Sequence, residues 1–144
     1  MPRPQRQWDI DEGNQLIAEQ RAYDQEELQH FVQAGLPTLN QEQRALYDAV
    51  MASVQQPVGF SFIVHSGGGC GKTYLAKLIA ASVHASNKIV LCVASTGLAS
   101  LLLPGGQTAH SHFKIPIPCH EGSSCNIKKD DLNHQLLQQT ALII

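Results

Sequence analysis

Long apolar runs are missing from this 144-residue chain. Leu101–Leu103 and Ala141–Ile144 stop far short of the roughly 18 residues needed to cross a bilayer, so no membrane span is expected. Met1-Pro2-Arg3-Pro4-Gln5-Arg6-Gln7-Trp8 lacks the apolar core and small-residue end of a secretory signal, which makes the cell interior the expected compartment. Charge is scarce as well. Only 15% of residues are charged, the formal net charge is −2, and Lys and Arg form no dense cluster. That argues against a protein that grips nucleic acid chiefly by counterion release. Cys70, Cys92, Cys119 and Cys125 sit in a medium-sized chain with no secretory address, so they are expected to be thiols rather than a disulfide framework. What the chain does have is material for a core. With 43% hydrophobic residues, a chain of this length can bury roughly 68% of its unfolded surface, which excludes disordered and fibrous classes and fits one domain.

The charge is unevenly placed. Residues 1–60 carry four Lys/Arg against nine Asp/Glu, net −5, and residues 61–144 carry six against three, net +3. The carboxyl half is the better partner for a polyanion. Between Asn14 and Ala34, the residues Leu16, Ile17, Leu28, Phe31 and Val32 recur at helical spacing and predict two short helices. Asp24 with Glu27 suits a capping box, and Gly35 with Pro37 stops the second helix. A third helix opens at the cap Asn40 and carries Leu46, Ala49, Val50 and Val54 on one face until Pro57. The pattern then changes: Phe60–Val64 reads as a strand and Tyr74 to Val83 as a helix. Ile89–Ala94 reads as a second strand, Leu98–Leu103 as a short helix, Asp131–Thr140 as another, and Ala141–Ile144 as a third strand. Pro116–Lys129 reads as a surface loop. Alternating strands and helices predict an α/β fold with a parallel sheet, crossover helices and a ligand at the carboxyl ends of the strands.

Between the first strand and its helix lies Ser66-Gly67-Gly68-Gly69-Cys70-Gly71-Lys72-Thr73. Glycines let the backbone turn its amides inward around a polyphosphate, and the helix that follows adds further amides and the positive end of its dipole. In this pattern Lys72 reaches the β- and γ-phosphates of ATP and the Thr73 hydroxyl ligates Mg²⁺. Ser66 replaces the usual first glycine of the pattern. The bland alternative is a glycine-rich turn with a solvated lysine.

Downstream stand Ala94-Ser95-Thr96-Gly97-Leu98-Ala99 and the block from Leu103-Pro104-Gly105-Gly106-Gln107-Thr108 through Ala109-His110-Ser111-His112-Phe113 to Pro116. With the phosphate loop and Leu39-Asn40-Gln41-Glu42-Gln43, this resembles the petite-integration-frequency family of 5′-to-3′ DNA helicases, in the branch found in eukaryotic genomes and Helitron transposons. The resemblance covers residues 38–144, and it departs from the family loop Gly-Pro-Gly-Gly-Thr-Gly-Lys-Thr at Ser66, Gly67 and Cys70. It implies a partial RecA-like P-loop motor domain over residues 38–144, preceded by a helical extension over residues 1–37. The implied activity is ATP-dependent DNA unwinding in repair, recombination and telomere maintenance, in nucleus or mitochondrion, with single-stranded DNA and duplex junctions as partners.

The same resemblance assigns roles. Lys72 and Thr73 are the catalytic pair, and Gln43, Ser66, Gly67, Gly68, Gly69, Cys70, Gly71 and Tyr74 complete the nucleotide set. Gln43 would read adenine, because a carboxamide donates and accepts at once; without its motif it reads as a solvated helix residue. Ser95, Thr96, Gly97, His110, Ser111 and Phe113 would meet the DNA strand. Apart from the resemblance, Ser95–Gly97 is equally a capped turn, and Phe113 reads first as a core side chain. His110, His112, Cys119, His120 and Cys125 could each bind zinc, but they show neither the C-x₂₋₄-C nor the H-x₃₋₅-H spacing of a site.

In the family, Leu142-Ile143-Ile144 would run into a Trp-Asp-Glu block whose acid holds Mg²⁺, and a second motor domain would follow. The chain as given is therefore expected to bind nucleotide, to hydrolyse it slowly by itself, and to be prone to association through an uncovered sheet edge. The rival readings are a non-enzymatic, transposon-derived nucleotide-binding remnant and another P-loop nucleotidase.

Overall fold

A computed structural model describes residues 16–129 and 131–144. Residues 16–21 are helical (α1), followed by α2 (Gln25–Gly35), a 3-10 turn (Leu36–Thr38), α3 (Gln41–Val54) and α4 (Lys72–Ala85). Then come β1 (Ile89–Leu91), β2 (Val93–Ala94), α5 (Gly97–Ser100), β3 (Gln107–Thr108), α6 (Ala109–His112), α7 (Leu132–Gln139) and β4 (Thr140–Ile143). Asn14, the first residue of the segment expected to hold two short helices, and the rest of residues 1–15 lie outside the described residues.

Local chemistry accounts for the helix ends. Asp24 accepts from the amides of Glu26 and Glu27 at the start of α2. The reciprocal capping box forms at α3: Asn40 Oδ1 accepts from Gln43 N at 2.8 Å, and Gln43 Oε1 accepts from Asn40 N at 3.1 Å. Gly71, in the left-handed region at φ 77°, turns the chain into α4, a conformation that disfavours any side chain.

Helix α4 is the centre of the molecule. Leu75 and the whole run from Leu78 to His84 are buried, which a helix reaches only when packed on several sides. α2 covers one side so closely that a Cβ on Gly35 would come within 2.6 Å of Leu78 Cδ1. α3 contributes Tyr47 and Val50, and β1 and the residue after it contribute Val90 and Cys92. The one buried polar pair on this seam is satisfied. Ser82 Oγ donates to Leu78 O at 2.9 Å, which leaves the Tyr47 phenol to donate to Ser82 Oγ at 2.7 Å. A second, smaller cluster joins Ile89 and Leu91 to Leu136 of α7, on the other face of β1.

Both ladders are parallel, as expected of strands separated by helical crossovers. β1 pairs with β4 in the register Val90↔Leu142 and Leu91↔Ile143, with an irregularity between Ile89 and Val90. β2 pairs with β3, Ala94 opposite Thr108. The expected strand Ile89–Ala94 is thus interrupted at Cys92, because this run of chain serves two partners. Leu91 O and Val93 N bond to Ile144, whereas Cys92 O accepts from Gln107 N. β3 and α6 were not anticipated from the sequence.

One expected element is corrected. Phe60–Val64 is not a strand: it belongs to no ladder and is exposed along its length, Ile63 to 96%. Through Phe60, Phe62 and Val64 it lines a common apolar cavity of about 720 Å³ with Leu142, Ile143 and Ile144 of the β4 segment. Its β-branched and aromatic composition favours a pleated, half-buried surface, and that preference is expressed only when a neighbouring edge supplies the hydrogen bonds. Among the described residues, no helix is long and apolar enough to cross a membrane.

Candidate nucleotide-binding site

The phosphate loop runs from Ser66 to Gly71 and opens α4 directly at Lys72. Gly69 (φ 74°) and Gly71 (φ 77°) both occupy the left-handed region. This is the backbone alternation that turns successive amides to one side and creates a concavity for an anion. The amides of the first turn of α4 have no intrahelical partner and face the same side as the positive end of the helix dipole. Residues 66–70 of the loop are exposed, as are Lys72 and Thr73, and Gly71 is half-buried. Lys72 Nζ arches back over it, donating to Ser66 O at 2.8 Å, Gly67 O at 2.6 Å and Ser66 Oγ at 3.2 Å.

Gln43 meets the loop from the other side. Its Nε2 donates to Cys70 O at 3.1 Å, and a Cβ on Gly71 would approach the same nitrogen to 3.0 Å. Its position is set by the capping box, so the first turn of α3 and the loop are joined through one carboxamide. The separation of 27 positions between Gln43 and Cys70 in sequence hides this contact from any local pattern. Cys70 is an exposed free thiol, as are Cys119 and Cys125, whereas Cys92 is buried and its thiol is pushed up to about 11 by that burial.

Tyr74 faces away from the loop. Its hydroxyl lies 3.1 Å from Thr38 Oγ1, and its ring meets Phe31 edge-on at 6.4 Å, so in this structure it fastens α4 to the helices before it.

The expected DNA-contacting residues form a second group at the carboxyl ends of β2 and β3. Ala94 and Thr108 are paired, so Ser95-Thr96-Gly97 and Ala109-His110-Ser111 leave the ladder side by side. Thr96 caps α5 by accepting from Ala99 N, and Thr108 caps α6 by accepting from Ser111 N, each at 3.2 Å. Ser95, Thr96, Gly97, His110 and Ser111 are exposed. Thr108 is a contributor the sequence reading passed over; a threonine three residues before Ser111 is a cap signal in its own right. His112 is drawn inward, its Nδ1 3.2 Å from Gln107 Oε1, and its pKa is lowered by desolvation. Phe113 is half-buried and packs edge-on against the His112 ring at 5.4 Å, which leaves part of its face accessible. Lys114 pairs with Asp131 at 2.8 Å and ties this segment to the start of α7. The Asp131 carboxyl is held below the usual range, first by the Lys114 hydrogen bond. Among the described residues, no three His, Cys, Asp or Glu side chains converge as a metal site.

Comparison with known proteins gives two findings. The PIF1-like helicase family matches residues 38–144. The ATP-dependent DNA helicase PIF4 of Trypanosoma brucei brucei (strain 927/4 GUTat10.1) is 32% identical over 88 residues, a stretch that is 61% of this chain and 10% of that protein.

Proposed function

The chain belongs to the PIF1-like helicase family, and from that premise we propose that it carries the nucleotide-binding part of a RecA-like motor in an ATP-dependent 5′-to-3′ DNA helicase. In this reading residues 38–144 are motor and residues 1–37 a helical extension. The reading places the parent activity in DNA repair, recombination and telomere maintenance, in nucleus or mitochondrion. Its partners are single-stranded DNA and duplex junctions.

The observation that carries the proposal is the loop itself. Two left-handed glycines lead straight into the amino end of α4, with Lys72 over the loop and Gln43 against it. These residues fit a magnesium nucleotide. Ser66–Gly71 would cradle the phosphates with main-chain amides, Lys72 would neutralise the β- and γ-phosphates, and the exposed Thr73 hydroxyl would hold Mg²⁺. When bound, ATP supplies the free energy of phosphoryl transfer. The task of this chain is to hold the phosphates and to report their presence.

Gln43 is placed to make that report. Its carboxamide already bonds Cys70 O, so an adenine that engages Gln43 changes a contact to the phosphate loop at the same time. Ser95–Gly97 and His110–Ser111, side by side and exposed, offer caps, hydroxyls and an imidazole to a single-strand backbone, and the free part of the Phe113 face offers stacking.

Titration with a fluorescent ATP analogue in Mg²⁺ tests the proposal. The chain should bind saturably, and Lys72→Ala should weaken binding by about tenfold or more while leaving the melting temperature unchanged, because the lost charge is exposed. No saturable binding by the unaltered chain overturns the reading.

A further inference from the structure

The three donors of Lys72 are all spent on the loop. An ammonium has three N–H groups and no acceptor, and here they go to Ser66 O, Gly67 O and Ser66 Oγ. A polyphosphate that recruits Lys72 must break at least one of these bonds. Two of the acceptors are main-chain carbonyls, which any residue at those positions provides. The third, at 3.2 Å the longest, is the Ser66 hydroxyl, the one acceptor a substitution can remove. A glycine at this position would supply no such group, so the hold on Lys72 from a side chain needs a hydroxyl-bearing residue here.

We propose that Ser66 is a positioning residue that lowers the affinity of the loop for nucleoside polyphosphates by holding Lys72 on the loop in the absence of ligand. The inference rests on the nucleotide-binding reading above. A hydrogen bond to a charged donor is stronger than one between neutral groups, but this one is long and exposed to water. Its loss should therefore change affinity by about threefold to tenfold rather than by orders of magnitude. The effect acts through the ammonium and leaves the Gln43 contact to Cys70 on the other side of the loop intact.

Two measurements on the 144-residue chain test this, with Ser66→Ala removing the acceptor and Ser66→Thr keeping it. The first needs no nucleotide: the rate at which an amine-reactive reagent labels Lys72, read by mass spectrometry with the exposed Lys128 as internal reference. Ser66→Ala should raise the Lys72 rate severalfold and Ser66→Thr should not. The second is titration with the fluorescent ATP analogue in Mg²⁺, where Ser66→Ala should bind about threefold to tenfold more tightly than the unaltered chain. A purely structural role for Ser66 would not raise Lys72 labelling selectively. Unchanged labelling in Ser66→Ala, or equal or weaker nucleotide binding, overturns the inference while the functional reading stands. Absence of nucleotide binding by the unaltered chain overturns both.

Discussion

Residues 58–64 and residues 75–84 are both rich in apolar side chains, and they end in opposite environments. From Leu78 to His84 every residue of α4 is buried. On the other side of the phosphate loop, Val58, Phe60, Phe62, Ile63 and Val64 are all exposed. Apolar content does not separate them; hydrogen bonding does. A helix closes its backbone bonds within its own turns and then needs only faces to pack against. A strand must borrow every bond from a neighbour. α4 finds faces on α2, α3 and β1, whereas residues 60–64 join no ladder and line an open cavity together with residues of β4. The phosphate loop lies at the boundary, anchored behind by a packed helix and free in front. Polar bonds from Lys72 and Gln43, rather than packing, hold its shape, so a ligand can reshape it without disturbing the core.

The contrast can be broken or sharpened from each side. The largest effect is expected at Leu78, fully buried on the face of α4 that meets α2: Leu78→Ala should cost about 2–5 kcal/mol in chemical denaturation. A loss under about 1 kcal/mol would mean that the core is looser than the burial of α4 implies.

A middle effect is expected at His84, buried at the end of α4 with its ring stacked on Tyr23 at 4.2 Å and its Nδ1 without a hydrogen-bond partner. Burial lowers its pKa, against a smaller opposing effect from a hydrogen bond to the Lys88 backbone. A histidine whose folded pKa is lowered leaves the unfolded chain binding more protons as pH falls below about 6.5, so its contribution to stability is lost on acidification. His112, also lowered by burial, acts in the same direction. His84→Phe keeps a ring against Tyr23 and removes the titration. Between pH of about 7.5 and 5.5 its melting temperature should fall less than that of the unaltered chain. Parallel curves would show that His84 is solvated in solution.

The smallest effect is expected at Ile63, where Ile63→Ser should change stability by no more than about 0.5 kcal/mol. A loss of about 1 kcal/mol or more would mean that residues 60–64 pack against β4 in solution and would erase the contrast.

The signals legible in the sequence are local ones. Asn40 announced the start of α3, Gly35 with Pro37 the end of α2, and the glycines before Lys72 a loop entering a helix, because caps and left-handed turns are decided within a few residues. Lys72 and the loop were therefore candidates before any geometry, Gln43 became one only through the family resemblance, and the parallel sense of the strands, seen between β1 and β4, followed from the alternation of element types. Tertiary structure alone decided what depends on partners distant in sequence. It left Phe60–Val64 without a ladder, divided Ile89–Ala94 between β4 and β3, turned Tyr74 toward Thr38 and Phe31, and joined Gln43 to Cys70. The physical reason is common to all four. A strand pairing or a long-range side-chain contact is a property of two segments at once, and one segment carries no record of where the other lies.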